Sequence, residues 1–149
     1  MKTSDLGIAF IKSFEQIRLS PYQDQAGLWT IGYGHRMLPD EDHDTITQDD
    51  ADALFLGDLA RTESAVNAAA NIILSQNEYD ACVSLCYNIG SGNFASSTLV
   101  KLLNSGNTDL AAQQFLRWDH AGGQVSSGLL ARRVAEKAIF EGGTYTNHA

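Results

Sequence analysis

The chain has 149 residues, of which 44% are apolar and 19% charged, and its 18 acidic and 10 basic residues leave a net charge of −8. That length fits one domain able to bury about 68–70% of the surface its unfolded chain exposes, which removes any need for disulfide or metal staples. The charge balance argues against a nucleic-acid partner, because no basic patch is there to release counterions from phosphate.

In chain order, Leu6, Phe10, Phe14 and Ile17 recur at helical spacing behind Thr3 or Ser4 as an N-cap. They predict a first helix over residues 5–14 with Glu15 at its C-terminal end. The apolar run 6–11 is too short for a secretory segment and meets Lys12 at once, and no stretch approaches the roughly 20 apolar residues of a membrane span. The expectation is a protein made in a bacterial cytoplasm that needs outside help to reach any target beyond the membrane. Pro21 forbids a helix, so residues 18–22 read as an edge strand. Asp24-Gln25-Ala26-Gly27 has the Asp and Gly of a type I turn. From Leu28 onward, Trp29, Ile31 and Tyr33 share one face of a strand, while Thr30, Gly32 and Gly34 leave the other nearly bare.

Residues 39–47 are polar and turn-like. Thr47, followed by Asp49, Asp50 and Asp52, caps a helix whose face Phe55, Leu59, Thr62 and Val66 carries it about twenty residues, to near Ala70. Ser75 with Glu78 forms a capping box for a helix ending near Gly90. Further helices are expected over 98–103, 108–118 and Ser127–Phe140, the last closed by Gly142-Gly143, with 144–149 frayed. Cys82 and Cys86 fall on one helix face and read as small buried apolar groups. His35, His43, His120 and His148 lack ligand spacing, so neither a metal nor another cofactor is expected. Nine of the acids lie between Asp40 and Glu63, whereas Arg117, Arg132, Arg133 and Lys137 outnumber Asp119, Glu136 and Glu141 in the last third. Such a bipolar molecule can still offer a mildly positive surface to an anionic polymer.

The pattern Glu15-x8-Asp24-x5-Thr30 sets two carboxylates and a hydroxyl around one hairpin. Cutting a glycosidic bond needs an acid for the leaving oxygen and a second carboxylate that directs water or attacks the sugar. An extended chain between Glu15 and Asp24 reaches about 30 Å, so only a fold-back brings both to one bond, and the Pro21 strand with the Asp24 turn supplies it. Glu15, at a helix C-terminus among Phe14, Ile17 and Leu19, meets the negative end of the dipole and partial desolvation, which favour its protonated form. Asp24, in a polar turn, is suited to the ionised role. Each residue also has a plainer reading: Glu15 as a solvated helix end, Asp24 as a turn former, Thr30 as an ordinary strand residue.

The segment from Phe14 to His35, with Glu15, Tyr22, Asp24, Gly27 and Trp29-Thr30-Ile31-Gly32-Tyr33-Gly34-His35, closely resembles the phage-type lysozymes (glycoside hydrolase family 24), the endolysins of tailed bacteriophages. The resemblance continues through Tyr87-Asn88-Ile89-Gly90-Ser91-Gly92-Asn93-Phe94, Ser97-Thr98-Leu99, Phe115-Leu116-Arg117-Trp118 and Gly128-Leu129-Leu130-Ala131-Arg132-Arg133, over essentially the whole chain. It implies a mostly helical α+β, lysozyme-like fold. In one domain, 1–149, a small β-hairpin lobe (about 13–50) and a helical lobe (about 60–149) are joined by a long helix, with the first helix near the cleft between them. It implies a muramidase cutting the β-1,4 bond between N-acetylmuramic acid and N-acetylglucosamine of peptidoglycan, usually with inversion, for which carboxyl groups stand about 6.5–9.5 Å apart.

In that resemblance Glu15 matches the general acid, Asp24 the carboxylate that works with water, and Thr30 the hydroxyl that helps hold that water and Asp24. Asn88 matches an amide lining the cleft from the helical lobe, Gly32, Tyr33 and Gly34 the cleft floor, and His35 a structural hydrogen-bonding group. Of Arg132 and Arg133, neighbours on a helix, one is expected to reach Glu15 and the other solvent, with Arg133 assigned inward. Trp29 and Trp118 are expected to be buried packing residues, with sugar stacking as the other role open to them. No signal-arrest anchor of the kind found on some relatives is expected, so release to the periplasm and wall is expected to need a holin-type pore former. A monomer is expected, since no exposed heptad or long unpaired edge is evident. Two other functions stay open: a lytic transglycosylase on the same bond, which needs the acid without the second carboxylate, and a wall-binding module without turnover.

Overall fold

The computed structural model describes residues 1–41 and 44–149, so His43 lies outside the described residues. Helix α1 spans Asp5–Glu15, capped by the Ser4 hydroxyl, which accepts from the Gly7 amide. Gln16 ends it with φ 34°, a left-handed conformation from which the helix cannot continue. Its buried face is Gly7, Phe10 and Ile11, whereas Leu6 is 63% exposed and Ile17 lies beyond the helix, also exposed, so the expected stripe is displaced. Gly7 causes the displacement. A Cβ there would lie 2.8 Å from Asp80 Cγ, and its absence lets α1 settle directly on α3 (Gln76–Ile89).

Three antiparallel strands follow, β1 (Arg18–Gln23), β2 (Trp29–Gly32) and β3 (His35–Arg36), in the order β1-β2-β3. Tyr22 pairs with Thr30 and Gln23 with Trp29, and the register shifts between Arg18 and Tyr22, where Pro21 cannot donate to the ladder. Ile31 is buried, but Trp29 is 54% exposed, which corrects the expectation of a packed indole. A three-stranded sheet this small covers only part of the strand's apolar face.

The long helix α2 (Gln48–Ala69) carries the Thr47/Asp50 capping box and buries Ala51, Phe55, Leu59, Thr62, Glu63 and Val66. Helix α3 carries the Ser75/Glu78 box, and every residue from Tyr79 to Cys86 is buried. It packs on α1, α2, α4 (Ser91–Ala95) and α7 (Ser127–Phe140). Both cysteines are free and buried on α3, and burial pushes the Cys86 thiol up to about 11. Helices α5 (Thr98–Asn104) and α6 (Thr108–Gln114) complete the core, with a 3-10 turn at Phe115–Arg117 where a longer helix was expected. A short hairpin, β4 (His120–Ala121) with β5 (Gln124–Val125), turns at Gly122 and Gly123, both at positive φ. The result is a mostly helical α+β fold. Among the described residues no helix is long and apolar enough to cross a membrane.

The ends of the chain are tied down by buried carboxylates. Glu63 accepts from the Thr3 amide at 2.6 Å and the Thr3 hydroxyl at 2.9 Å. Asp80 takes the Ser4 amide, the Ser4 hydroxyl, Gln76 and, at 2.6 Å, the Tyr145 hydroxyl. The His148 amide donates to Ser13 Oγ and its ring lies against Phe14, so the last residues dock along α1 and are not frayed.

Candidate active site

Three elements meet at the Glu15 carboxylate. Helix α1 delivers it, Arg132 of α7 donates from Nη1 to Oε1 at 2.6 Å, and the turn between β2 and β3 passes beside Oε2. A Cβ on Gly34 would sit 2.8 Å from Oε2, and Gly34 has φ +73°, so glycine is required there for space and for conformation. Oε2 has no protein hydrogen-bond donor among the described residues. The apolar surroundings are Phe14, under the Arg132 guanidinium, whereas Ile17 and Leu19 are exposed. The Glu15 side chain is nonetheless only 14% exposed, and a cation lies against it.

That cation belongs to a buried network. Arg132 and Arg133 both donate to Glu136, which also accepts from Ser84 Oγ, and all four side chains are buried. Arg132 also donates to the Ser84 carbonyl at 3.2 Å. Burial alone would lower the Arg132 pKa, but Glu15 and Glu136 outweigh it and hold the guanidinium firmly charged. Arg133 donates to the Trp118 carbonyl at 2.9 Å and to Asn88 Oδ1. The expectation for this pair is corrected: Arg132 is the one at Glu15, and neither faces solvent. Two successive helix residues can both be buried here because α7 is covered on the Ser84 side and on the Trp118 side alike.

Asp24 occupies its turn as read, with the Gly27 amide donating to the Asp24 carbonyl at 2.9 Å. Its Oδ1 accepts from the Ala26 and Leu28 amides, both at 2.9 Å, which leaves Oδ2 with no protein partner among the described residues. Thr30 is buried and donates from Oγ1 to the Leu28 carbonyl at 2.9 Å. It therefore touches Asp24 only through the Leu28 peptide. Burial, with Glu15 second, raises the Tyr22 phenol, and burial does the same to Tyr87, whose hydroxyl donates to the Tyr33 carbonyl.

Two open cavities, of about 760 and 840 Å³, share Glu15, Asp24, Asn88, Ile89 and Asn93 in their walls. One continues past Tyr22, Thr30, Gly34 and Tyr87 to Arg36, Leu38 and Arg61; the other continues past Gln25, Trp118, His120 and Leu129. The two carboxylates thus stand midway along a channel. Gly34 and Asn88 line it, but Gly32, Tyr33 and Arg133 do not. At φ +67° Gly32 turns the strand away toward Ala51 of α2, the Tyr33 ring packs edge-on against Phe55, and Arg133 lies beneath Asn88. Tyr87, Asp58 and Arg61 were not foreseen in the walls, and neither was the β4–β5 edge; the Gly122-Gly123 pair was the only sequence signal for that hairpin.

His35 lies in the chain between Gly34 and Arg36, which line the channel, and is not itself in the wall. Its Nδ1 meets Asp58 Oδ2 at 2.8 Å and its Nε2 meets Glu41 Oε2 at 2.9 Å. Burial lowers its pKa, yet the two carboxylates together raise it overall. This is the structural hydrogen-bonding role expected for His35. Among the described residues no cluster of three His, Cys, Asp or Glu side chains is arranged to hold a metal ion.

The phage lysozyme family model matches residues 12–136. The chain is 42% identical to the endolysin of Acyrthosiphon pisum secondary endosymbiont phage 1, over 95% of this chain and 99% of that one. It is 41% identical to the endolysin of Bacillus phage PZA, over 99% of this chain but only 58% of that protein's length. Among solved structures, the muramidase domain of SpmX from Asticaccaulis excentricus superposes with a TM-score of 0.83 at 39% identity, covering 93% of this chain and 97% of that one.

Proposed function

The chain belongs to the phage lysozyme family, and from that premise we propose that it is an endolysin muramidase. In this reading it hydrolyses the β-1,4 bond between N-acetylmuramic acid and N-acetylglucosamine in peptidoglycan. The observation that carries the proposal is the placement of Glu15 and Asp24 in the shared middle of a channel that runs on in both directions, as internal cleavage of a polymer requires.

Glu15 is the acid. Arg132 holds Oε1, so the proton passes from Oε2, in the space that Gly34 keeps open, to the glycosidic oxygen as the bond to the sugar breaks. Asp24, fixed by two amides on Oδ1, uses the open Oδ2 to take a proton from the attacking water. Thr30 stiffens the Leu28 peptide that anchors Asp24 and offers its oxygen to the same water. Water adds from the face opposite the leaving sugar, so the anomeric configuration inverts. Asn88 is held by Arg133 through its oxygen; because a guanidinium only donates, the amide nitrogen is the atom left for the sugar. The protein acts as a monomer on the host wall, released from the cytoplasm through a separate holin-type pore former, and the outcome is host cell lysis.

Mass spectrometry of fragments from purified peptidoglycan tests the chemistry. Reducing N-acetylmuramic ends with an inverted anomer by rapid NMR are expected, with on the order of 10²-fold or greater loss in Glu15→Gln and Asp24→Asn at unchanged thermal stability. Anhydro ends that survive Asp24→Asn would instead identify a transglycosylase, and wall binding without fragments a binding module.

A further inference from the structure

The channel is not electrically uniform along its length. The arm past Trp118 and His120 presents Arg132, whose charge is buried and committed to Glu15 and Glu136, and His120, whose Nδ1 lies 2.6 Å from Asp119. The arm past Thr30 and Gly34 is walled by Arg36 of β3 and Arg61 of α2, both exposed. Arg61 leans on Asp58 through Nη2, yet its side chain is 70% exposed and its other N–H groups remain available. Asp58 already pairs with His35, so its charge does not cancel Arg61 alone. The Arg36 side chain has no hydrogen-bond or ion-pair partner among the described residues, its backbone alone pairing with Thr30 in the sheet. In a chain of net charge −8 these are, among the described residues, the exposed arginines of the channel walls, gathered in one arm, while the other arm adds His120 and His148.

From this, and resting on the peptidoglycan reading above, we propose that Arg36 and Arg61 form a carboxylate-binding subsite that orients the substrate by its acidic substituents. Peptidoglycan can offer carboxylates of two kinds, those of the peptide stems and the lactyl carboxylate of muramic acid, which is free only where no stem is amide-linked to it. Either pairs with a guanidinium by the same two-pronged hydrogen bonding. Leu38 beside the two arginines gives an apolar surface for the methyl groups that accompany those carboxylates.

The test compares kcat/KM for the wild-type protein, Arg36→Gln, Arg36→Lys and Arg61→Gln at low salt. Three substrates are used: intact peptidoglycan, peptidoglycan with its carboxyls converted to amides by carbodiimide and ammonia, and stem-free glycan made with an amidase. An exposed ion pair of this kind is expected to be worth about a 2- to 5-fold change. Each Gln variant should lose that factor on intact peptidoglycan through KM, the loss should shrink at high salt, and Arg36→Lys should recover most of it. Amidated peptidoglycan should make all four proteins alike. On stem-free glycan, where the amidase has freed the lactyl carboxylates, a loss that persists shows that the subsite takes the lactyl carboxylate as well, and a loss that vanishes assigns it to the stem alone. Equal losses on native and amidated substrate, or no loss on either, would overturn the subsite. A wild-type protein that releases no fragments would instead overturn the muramidase reading itself.

Discussion

Glu136→Gln is the sharpest perturbation of the buried network beneath the active site. Glu136 is fully buried and accepts from Ser84, Arg132 and Arg133, so two guanidinium groups, 4% and 0% exposed, share it. The Gln side chain keeps the shape but removes the buried negative charge that two adjacent guanidinium groups share, and its NH₂, a donor, cannot accept from either of them. Removing one member of a buried ion pair costs about 3–5 kcal/mol. For a domain of this size that corresponds to a fall in Tm of about 6–20 °C. Urea denaturation should show the midpoint falling with the slope m unchanged, since the surface exposed on unfolding is the same. Pairing Arg133→Met with Glu136→Leu removes one charge of each sign and should be more stable than Glu136→Gln alone. A cost below about 1 kcal/mol for Glu136→Gln, or a double variant no better than the single, would refute the argument that these charges depend on one another.

Three further outcomes follow from single contacts. Gly34→Ala places a Cβ 2.8 Å from Glu15 Oε2 at φ +73°. It should cost about 1–2 kcal/mol of stability and, by displacing the acid, on the order of 10²-fold in turnover on peptidoglycan; normal turnover would show that the position of Oε2 is not critical. The raised pKa of His35 makes its stabilisation fully present below the ordinary 6.5 and progressively lost as pH rises through the folded value, so urea midpoints should fall above that pH in the wild type. In His35→Gln that fall should be absent; an identical pH profile in the two proteins would rule out His35 as its source. Ser75→Ala removes the acceptor of the Glu78 amide, at 3.1 Å, and should cost about 1 kcal/mol by thermal melting.

Local signals were readable where the sequence had only local questions to answer. The N-cap at Thr47, the capping box at Ser75 and the ends of α7 match the reading because each is settled within four residues of itself. The turn at Asp24 matches for the same reason. The orientation of Arg132 and Arg133 depended on Ser84 and Trp118, which are 48 and 15 residues away in the chain, and no periodicity carries that information. Glu63, Asp80 and Glu136 look in sequence like solvated helix charges; only the fold brings Thr3, Ser4 and Ser84 to them. The strand alternation read from Trp29 to Gly34 failed at Gly32, whose positive φ takes the chain out of the pleat before the period can run on. The pair Glu15 and Asp24 was visible as a pattern, but the cation beside Glu15 and the second arm of the channel were not.

The same distinction resolves the apparent mismatch between an acidic protein and an anionic wall polymer. Net charge counts every carboxylate equally, whereas the field in the channel depends on where each one is spent. Glu63, Asp80 and Glu136 are buried against donors, and Asp49 and Asp50 face the positive end of α2. Glu41 and Asp58 flank the His35 imidazole, and Glu15 is paired with Arg132. Glu15 and Asp24 are then the carboxylates in the channel walls with an oxygen left open, Oε2 and Oδ2, set against Arg36 and Arg61 in the neighbouring arm. An anionic chain entering the channel therefore meets a local balance far less negative than −8, and meets the open carboxyl oxygens at the point where the bond is to be cut.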